Sequence, residues 1–398
     1  MSNRTSHRYG AIPNQDGQNA PVRPWNDQTV FASHEPTLVS SLKHIAFSNW
    51  INLLLVFVPL GILAYSLHWN DTMIFVFNFM ALLPMAKLLG LATEELALRT
   101  NQTIGGLLNA TFGNLVELIV ALFALKEDLI RVVQASLMGS ILSNLLLVLG
   151  AAFLAGGLKY QTQNFNQTGA MTSASLLGVS VLGLVIPATF SLTVKDDIKE
   201  QLLLNVSRGT AIVMLIIYIL FLVFQLKTHT EFYQSAEEDN EEPQLTTYVA
   251  IGLLLLITVL VSVCSDYLVS SIDAFAEQHH LNQTFVGLIL LPLVGNAAEH
   301  VTAITVAMKN KTDLAIGVAI GSSMQISLFA VPVCVIAGWI TGHAMTLNFS
   351  GFETSILFVS VFVVNSIIQD GKSNWLEGAM LLGAYFIVGV AIFYFPNL

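Results

Sequence analysis

Charge is what this chain lacks most. Only 11% of its 398 residues are Asp, Glu, Lys or Arg, against 54% hydrophobic. So few charges exclude an ordinary soluble globule, about a quarter of whose residues are charged. Cysteine is nearly absent: Cys264 and Cys334 both stand in apolar surroundings, which reads as two free buried thiols and excludes a disulfide scaffold. Positive charge is short too, and a formal net charge of -10 argues against a nucleic-acid partner. No His-Glu metal motif and no paired Ser nucleophile is visible, so no enzyme is expected. The first apolar run starts only near Phe47, so no cleavable signal peptide is expected and an internal span does the inserting.

What the chain has instead is apolar runs long enough to cross a bilayer, whose core of roughly 30 Å takes about 20 residues of helix. Spans are expected over 47–67, 73–98, 103–126, 129–157, 167–192, 205–227, 246–273, 284–308, 312–340, 348–369 and 374–396. Lipid satisfies no bare backbone N–H or C=O, so the expected fold is an all-α polytopic membrane protein of about 11 transmembrane helices. Ten Lys and Arg flank the side that holds the N-terminus (Arg4, Arg8, Arg23, Lys43, Arg99, Lys159, Lys227, Lys309, Lys311, Lys372) and five the other (Lys126, Arg131, Lys195, Lys199, Arg208). That bias predicts a cytosolic N-terminus.

The longest polar interruption, THTEFYQSAEEDNEEPQ over 228–244, divides the membrane part. The expected organisation is a polar cytosolic tail over 1–46, an extra span over 47–67, a first five-helix repeat over 73–227, an acidic cytosolic connector over 228–245 and a second repeat over 246–398. Within the repeats, NQTIGGLLNATFGNLVE (101–117) matches NQTFVGLILLPLVGNAAE (282–299). The offset of 182 from Glu117 to Glu299 persists from Gly139-Ser140 to Gly321-Ser322. Five spans per half is an odd number, so matched helices cross in opposite directions. Inverted repeats of this kind build many secondary transporters, with the site near the midplane where helices break.

The chemistry concentrates in the matched segments. Asn114 and Glu117 share a helical face, as do Asn296 and Glu299, and all four are expected in the metal site. A carboxylate at the bilayer centre costs roughly 2.5–3.5 kcal/mol on insertion scales, so a matched pair implies a compensating role. Gly113 and Gly295, with Pro292, are expected to loosen the backbone before each acid and free carbonyls as cation ligands. One span later comes a second polar layer: Ser140, Ser143 and Asn144 in the first repeat, Ser322, Ser323 and Gln325 in the second. Ser140, Ser322 and Gln325 are read as ligands. For Ser143 and Ser323, packing with the hydroxyl bonded back to a carbonyl stands beside ligation.

Two carboxylates, two hydroxyls, an amide oxygen and freed carbonyls supply the six to eight hard oxygens that calcium prefers. When the cation leaves, two nearby buried carboxylates cannot both stay charged, because burial and like charge both favour the neutral acid. Protons can then replace the metal, and both loaded states are near neutral.

The motifs GNLVE, GNAAEHVTAITVAMKNK and AIGVAIGSSMQ, with the eleven-span layout and the acidic connector, strongly resemble the vacuolar calcium/proton exchangers of the cation/proton exchanger family, in the calcium/cation antiporter superfamily. The likeness to the fungal branch covers the chain from the first span onward; the polar N-terminus departs from it. The resemblance implies Glu117 and Glu299 as shared carriers of cation and proton, and Ser140, Ser322 and Gln325 as secondary ligands. It implies Ca2+ moved from cytosol into an acidic vacuole against H+, in the vacuolar membrane, with no cofactor and with Mn2+ left open as a second cargo.

Lesser candidates keep two readings each. Glu94, Glu95 and Asp266 either form a cation funnel or sit in headgroup water. His300 either relays protons or is structural, since it points about 100° from Glu299. Glu237, Glu238, Asp239, Glu241 and Glu242 form a solvated linker or a cytosolic calcium sensor, and the resemblance favours the sensor. Two rival functions remain: a sodium/calcium-type exchanger, which would want more charged ligands than neutral Gln325 provides, and a cation channel, which would need a continuous pore.

Overall fold

A computed structural model describes residues 36–47, 49–194, 196–230 and 243–395. The tail as far as residue 35 and the acidic block of Glu237, Glu238, Asp239, Glu241 and Glu242 lie outside them. The chain starts with α1 (Leu38–Phe47), inside the stretch read as polar tail, then a 3-10 turn (Trp50–Val56) and α2 (Phe57–Ser66). The first repeat holds α3 (Asp71–Ala97), the broken pair α4 (Gln102–Phe112) and α5 (Leu115–Lys126), then α6 (Ile130–Leu142). It continues through a π-helical turn (Ser143–Val148), α7 (Leu149–Lys159), α8 (Gln167–Thr193) and α9 (Asp196–Val223).

The second repeat opens with α10 (Thr247–Ser270), α11 (Ile272–Gln278) and α12 (Gln283–Phe285). A π turn (Val286–Leu290) leads to α13 (Leu291–Gly295), α14 (Ala297–Met308) and α15 (Thr312–Gln325). Another π turn (Ile326–Ala330) precedes α16 (Val331–Thr341), α17 (Gly351–Ile367) and α18 (Trp375–Phe393). Among the described residues nine helices are long and apolar enough to cross a membrane, or up to eleven if each of two bent pairs is one span. The all-α polytopic fold read from the sequence is therefore the observed one.

Among the described residues the ties between turns gather at two faces, as alternating spans require. On the first face Lys159 Nζ donates to Met308 O at 2.9 Å, Arg99 donates to Leu245 O, and β1 (Gln163–Asn164) pairs with β2 (Lys372–Ser373). On the second, Lys126 meets Asp266 at 3.3 Å, His343 meets Asp128 at 3.1 Å, and Arg131 grips the fully buried Glu353 with both terminal nitrogens.

The two π turns of the second repeat have a physical cause. Pro292 lacks the N–H that would bond Leu288 O, four residues earlier, and Pro332 stands in the same relation to its own π turn. The released Leu288 carbonyl lies against Gly139 of α6, where an added Cβ would come within 2.1 Å of it. Gly287 faces Ala135 across the same seam, with 2.7 Å between an added Cβ and the alanine methyl. The repeat mate Gly321 has nothing within 4 Å of an added Cβ. We expect Gly139→Ala to cost about 1–3 kcal/mol by overpacking, read as a lower melting temperature in detergent, while Gly321→Ala holds or gains about 1 kcal/mol. Equal melting of the two variants would contradict the seam.

Candidate cation site

The broken helices meet inside the bundle. The break falls at Asn114 (φ -113°, ψ 34°) and Asn296 (φ -85°, ψ 14°), while Gly113 keeps helical angles and Gly295 is the last residue of α13. The sequence reading placed the loosening one residue early. Neither asparagine side chain caps the helix that follows it; both bond instead across the repeat boundary. Each acid then sits in the first turn of the following helix, Glu117 on α5 and Glu299 on α14, where N–H groups without helical partners favour negative charge.

A chain of hydrogen bonds ties the two repeats. Asn114 Nδ2 donates to Gln325 Oε1 at 2.7 Å, and Ser322 Oγ donates to Asn114 Oδ1 at 2.6 Å. Asn144 Nδ2 donates to Ser322 Oγ at 3.0 Å and reaches Asn296 Oδ1 at 3.5 Å. Asn296 Nδ2 donates to Ser140 O at 3.2 Å. Gln325 Nε2 and the Tyr218 hydroxyl both donate to Ala110 O, a carbonyl near the end of α4. One freed carbonyl is thus taken up by protein donors.

Glu117 is buried and lies on Gly295 of the opposite repeat, whose added Cβ would come within 2.8 Å of Glu117 Oε1. The two carboxylates interact electrostatically with one another. Glu117 Oε1, Glu299 Oε2 and Asn144 Oδ1 are buried and accept no hydrogen bond. A narrow pocket beside Glu117 is lined by Leu82, Val120, Ser136, Ser140 and Leu291. A much larger cavity, of about 1120 Å³, opens at the second face around Arg131, Asp273 and Glu277 and does not reach either acid.

These features suit a hard cation: two carboxylates with spare oxygens, ringed by neutral oxygen atoms. Among the described residues no group of three or more His, Cys, Asp and Glu gathers into an alternative metal site. Residues 70–227 and 249–394 match the family described as sodium/calcium exchanger protein. This chain belongs to that family. The vacuolar calcium ion transporter of Schizosaccharomyces pombe is 50% identical over 364 residues, which cover 90% of this chain and 88% of that protein. Vacuolar cation/proton exchanger 5 of Arabidopsis thaliana is 45% identical over 369 residues, 90% of this chain and 84% of that one. The crystal structure of the selenium-substituted Ca2+/H+ antiporter protein YfkE is 38% identical, with a TM-score of 0.75 over 86% of this chain and 98% of that chain.

The remaining expected site residues of this exchanger-family chain divide. Ser140 is buried beside Glu117 in the same pocket. Ser323 bonds back to Ala319 O at 2.9 Å, and Ser143 is fully buried toward Tyr385 of α18. His300 holds Asn296 O with Nδ1 at 2.7 Å, which fixes the ring against the break. Glu95, Glu94 and Asp266 are not in this group. Glu95 is buried at the first face and accepts the backbone N–H of Gln244 at 3.0 Å and of Leu245 at 2.8 Å, Glu94 is exposed, and Asp266 pairs with Lys126 at the second face.

The sequence reading passed over Lys87, whose charge acts on Glu299. A signal was present: of the 16 Lys and Arg, it alone stands near the middle of an expected span. For the polar chain itself, Asn144→Leu removes a donor from Ser322 and Asn296. A loss of about 1–3 kcal/mol should appear as a lower melting temperature, while Ser323→Ala, which removes a back-bonded hydroxyl, should move it by less than about 1 kcal/mol. Wild-type melting of Asn144→Leu would deny the chain its bracing part.

Proposed function

We propose that this chain is a secondary antiporter that moves Ca2+ from the cytosol into the vacuole in exchange for H+, with Glu117 and Glu299 as the shared carriers. The observation that supports it best is the convergence of two carboxylates, one from each inverted repeat, with Glu117 buried, Glu299 half-buried and one oxygen of each buried without a hydrogen bond, among neutral oxygen neighbours. Ser140, Ser322 and Gln325 complete the donor set, with Asn114, Asn296 and Asn144 holding it in register and Gly113 and Gly295 leaving room. The printed names of the relatives, calcium ion transporter and cation/proton exchanger, agree with calcium as cargo and proton as counter-ion. The first face is cytosolic on this reading and carries the N-terminus and the acidic connector.

The chemistry follows from charge balance. Calcium with two carboxylates is near neutral, and so are two carboxylic acids. A bare dianion in the bilayer core is not, so the empty, unprotonated site is disfavoured as a state that crosses. The pair therefore exchanges one load for the other. The asymmetry between the repeats supports a cytosol-facing arrangement: the Gly139 seam is closely packed and the second-face cavity stops short of both acids, while α4 on the first face exposes Thr103, Leu107, Asn109 and Thr111.

In acid-loaded vesicles, Glu117→Gln and Glu299→Gln should each reduce pH-driven calcium uptake to background, and a sodium gradient should drive none in the wild type. Uptake surviving in both variants defeats the site, and uptake driven by sodium favours the sodium/calcium reading. For the connector, neutralising Glu237, Glu238, Asp239, Glu241 and Glu242 together should shift the cytosolic calcium dependence of uptake while leaving proton coupling. An unchanged calcium dependence assigns the block to a solvated linker.

A further inference from the structure

Lys87 is left over by the mechanism above. It sits on α3, ten residues before Ala97 (97 - 87), which is about 15 Å of helix from the first face. That is farther than a lysine stem reaches, so snorkelling to headgroups does not explain it. Among the described residues Lys87 makes no ion pair within 4 Å. The carboxylate on which its charge acts is that of Glu299.

The surroundings give a direction. Leu83, Lys87, Gly90, Leu91 and Glu94 form one stripe of α3 at helical spacing. Exposure along it rises toward the first face: Leu83 and Lys87 are half-buried, Gly90 and Glu94 exposed. An added Cβ at Gly90 would meet nothing within 4 Å. The same helix packs on α14, which carries Glu299, on α13 just before it and on α4. On α14 the residues from Ala297 to Thr302 are themselves half-buried, as Leu83, Lys87 and Leu91 are on this stripe.

From this placement we infer that Lys87 is a fixed cation on the approach from the first face to the exchange site, where it weakens the hold on a divalent ion and favours its release. The physical basis is the Coulomb term. A fixed unit charge repels a divalent ion twice as strongly as a monovalent one, and in partly dehydrated surroundings the effect reaches beyond contact distance. The inference rests on Glu117 and Glu299 being the exchange pair. It adds a residue that sets affinity without touching the cargo.

The test is calcium uptake into acid-loaded vesicles and calcium binding by calorimetry on the purified full chain, for the wild type, Lys87→Met, Lys87→Gln and Lys87→Arg. Lys87→Met and Lys87→Gln should lower the KM and the Kd for calcium by about fivefold or more and reduce the maximal rate as release slows. Lys87→Arg keeps the charge and should stay within about twofold of the wild type. A merely structural lysine gives less folded protein or weaker binding, never tighter binding. Unchanged or weaker calcium binding in both neutral variants, or the same shift in Lys87→Arg, overturns the inference. Glu299→Gln in the same assays separates the two levels. Binding lost there with no shift at Lys87 removes only this inference, whereas binding kept there removes the exchange-site reading and this inference with it.

Discussion

Two carboxylates brought from opposite repeats into one low-dielectric bundle, Glu117 buried and Glu299 half-buried, impose the terms on which the rest of this fold is built. Glu117 lies on Gly295 and acts on Glu299, each acid at the start of a half-helix. Neither like charge nor burial tolerates both as bare anions. The helix breaks supply what stabilisation the backbone can give, through N–H groups without helical partners in the first turn after Asn114 and Asn296. The remaining stabilisation has to come from whatever positive species enters, and the proposed exchange of a cation for protons would answer that need.

The repeats match in sequence and differ in packing, and the differences are concentrated on the route to the acids. Gly139 is pressed against the carbonyl of Leu288, while Gly321 faces open space. The first broken pair makes one continuous span, Thr103–Lys126, while the second, across Gln283–Gly295 and Ala297–Met308, bends by 56°. Glycines permit both states of such a seam, because a side chain at Gly139 would hold the backbones apart and one at Gly295 would displace Glu117. Two packings of one repeated unit, one closed and one open, are what alternating access needs. On the proposed function, exchanging them between the repeats would move the opening to the other face without moving the site.

Much of this was legible in the sequence because lipid leaves few choices. Apolar runs bounded by charged turns gave spans that agree with the helices to within a few residues, as 312–340 does with Thr312–Thr341 and 167–192 with Gln167–Thr193. The offset of 182 located both acids and both serines, since a duplicated unit repeats its chemistry along with its packing. What could not be read were contacts made across the pseudo-symmetry. Asn144 is matched to Ile326, so the repeat has no rule for it, yet it bridges Ser322 and Asn296. Glu95 read as half of an acidic pair at a membrane face, but its partners are the N–H groups of Gln244 and Leu245, about 150 positions along the chain. Lys87 was hidden by counting cations only at span ends.

Two of these residues, Glu95 and Lys87, share one helix, and that carries the argument one step further. The single helix α3 holds Glu95 at the first face, Lys87 partway in and Leu82 on the wall of the pocket beside Glu117. It also packs along α10, the helix that begins immediately after the segment Glu95 grips. A tilt of α3 with α10 would therefore change three things together: the anchorage of the connector, the distance from the lysine to Glu299, and the width of the pocket. A rigid helix in a close-packed interior transmits such a motion along its length, because its packing is bistable rather than continuously deformable. The same element that carries a repelling charge toward a bound cation would then be the one that opens its exit. Release and opening become one movement, so a loaded site need not wait for a separate event to let the ion go.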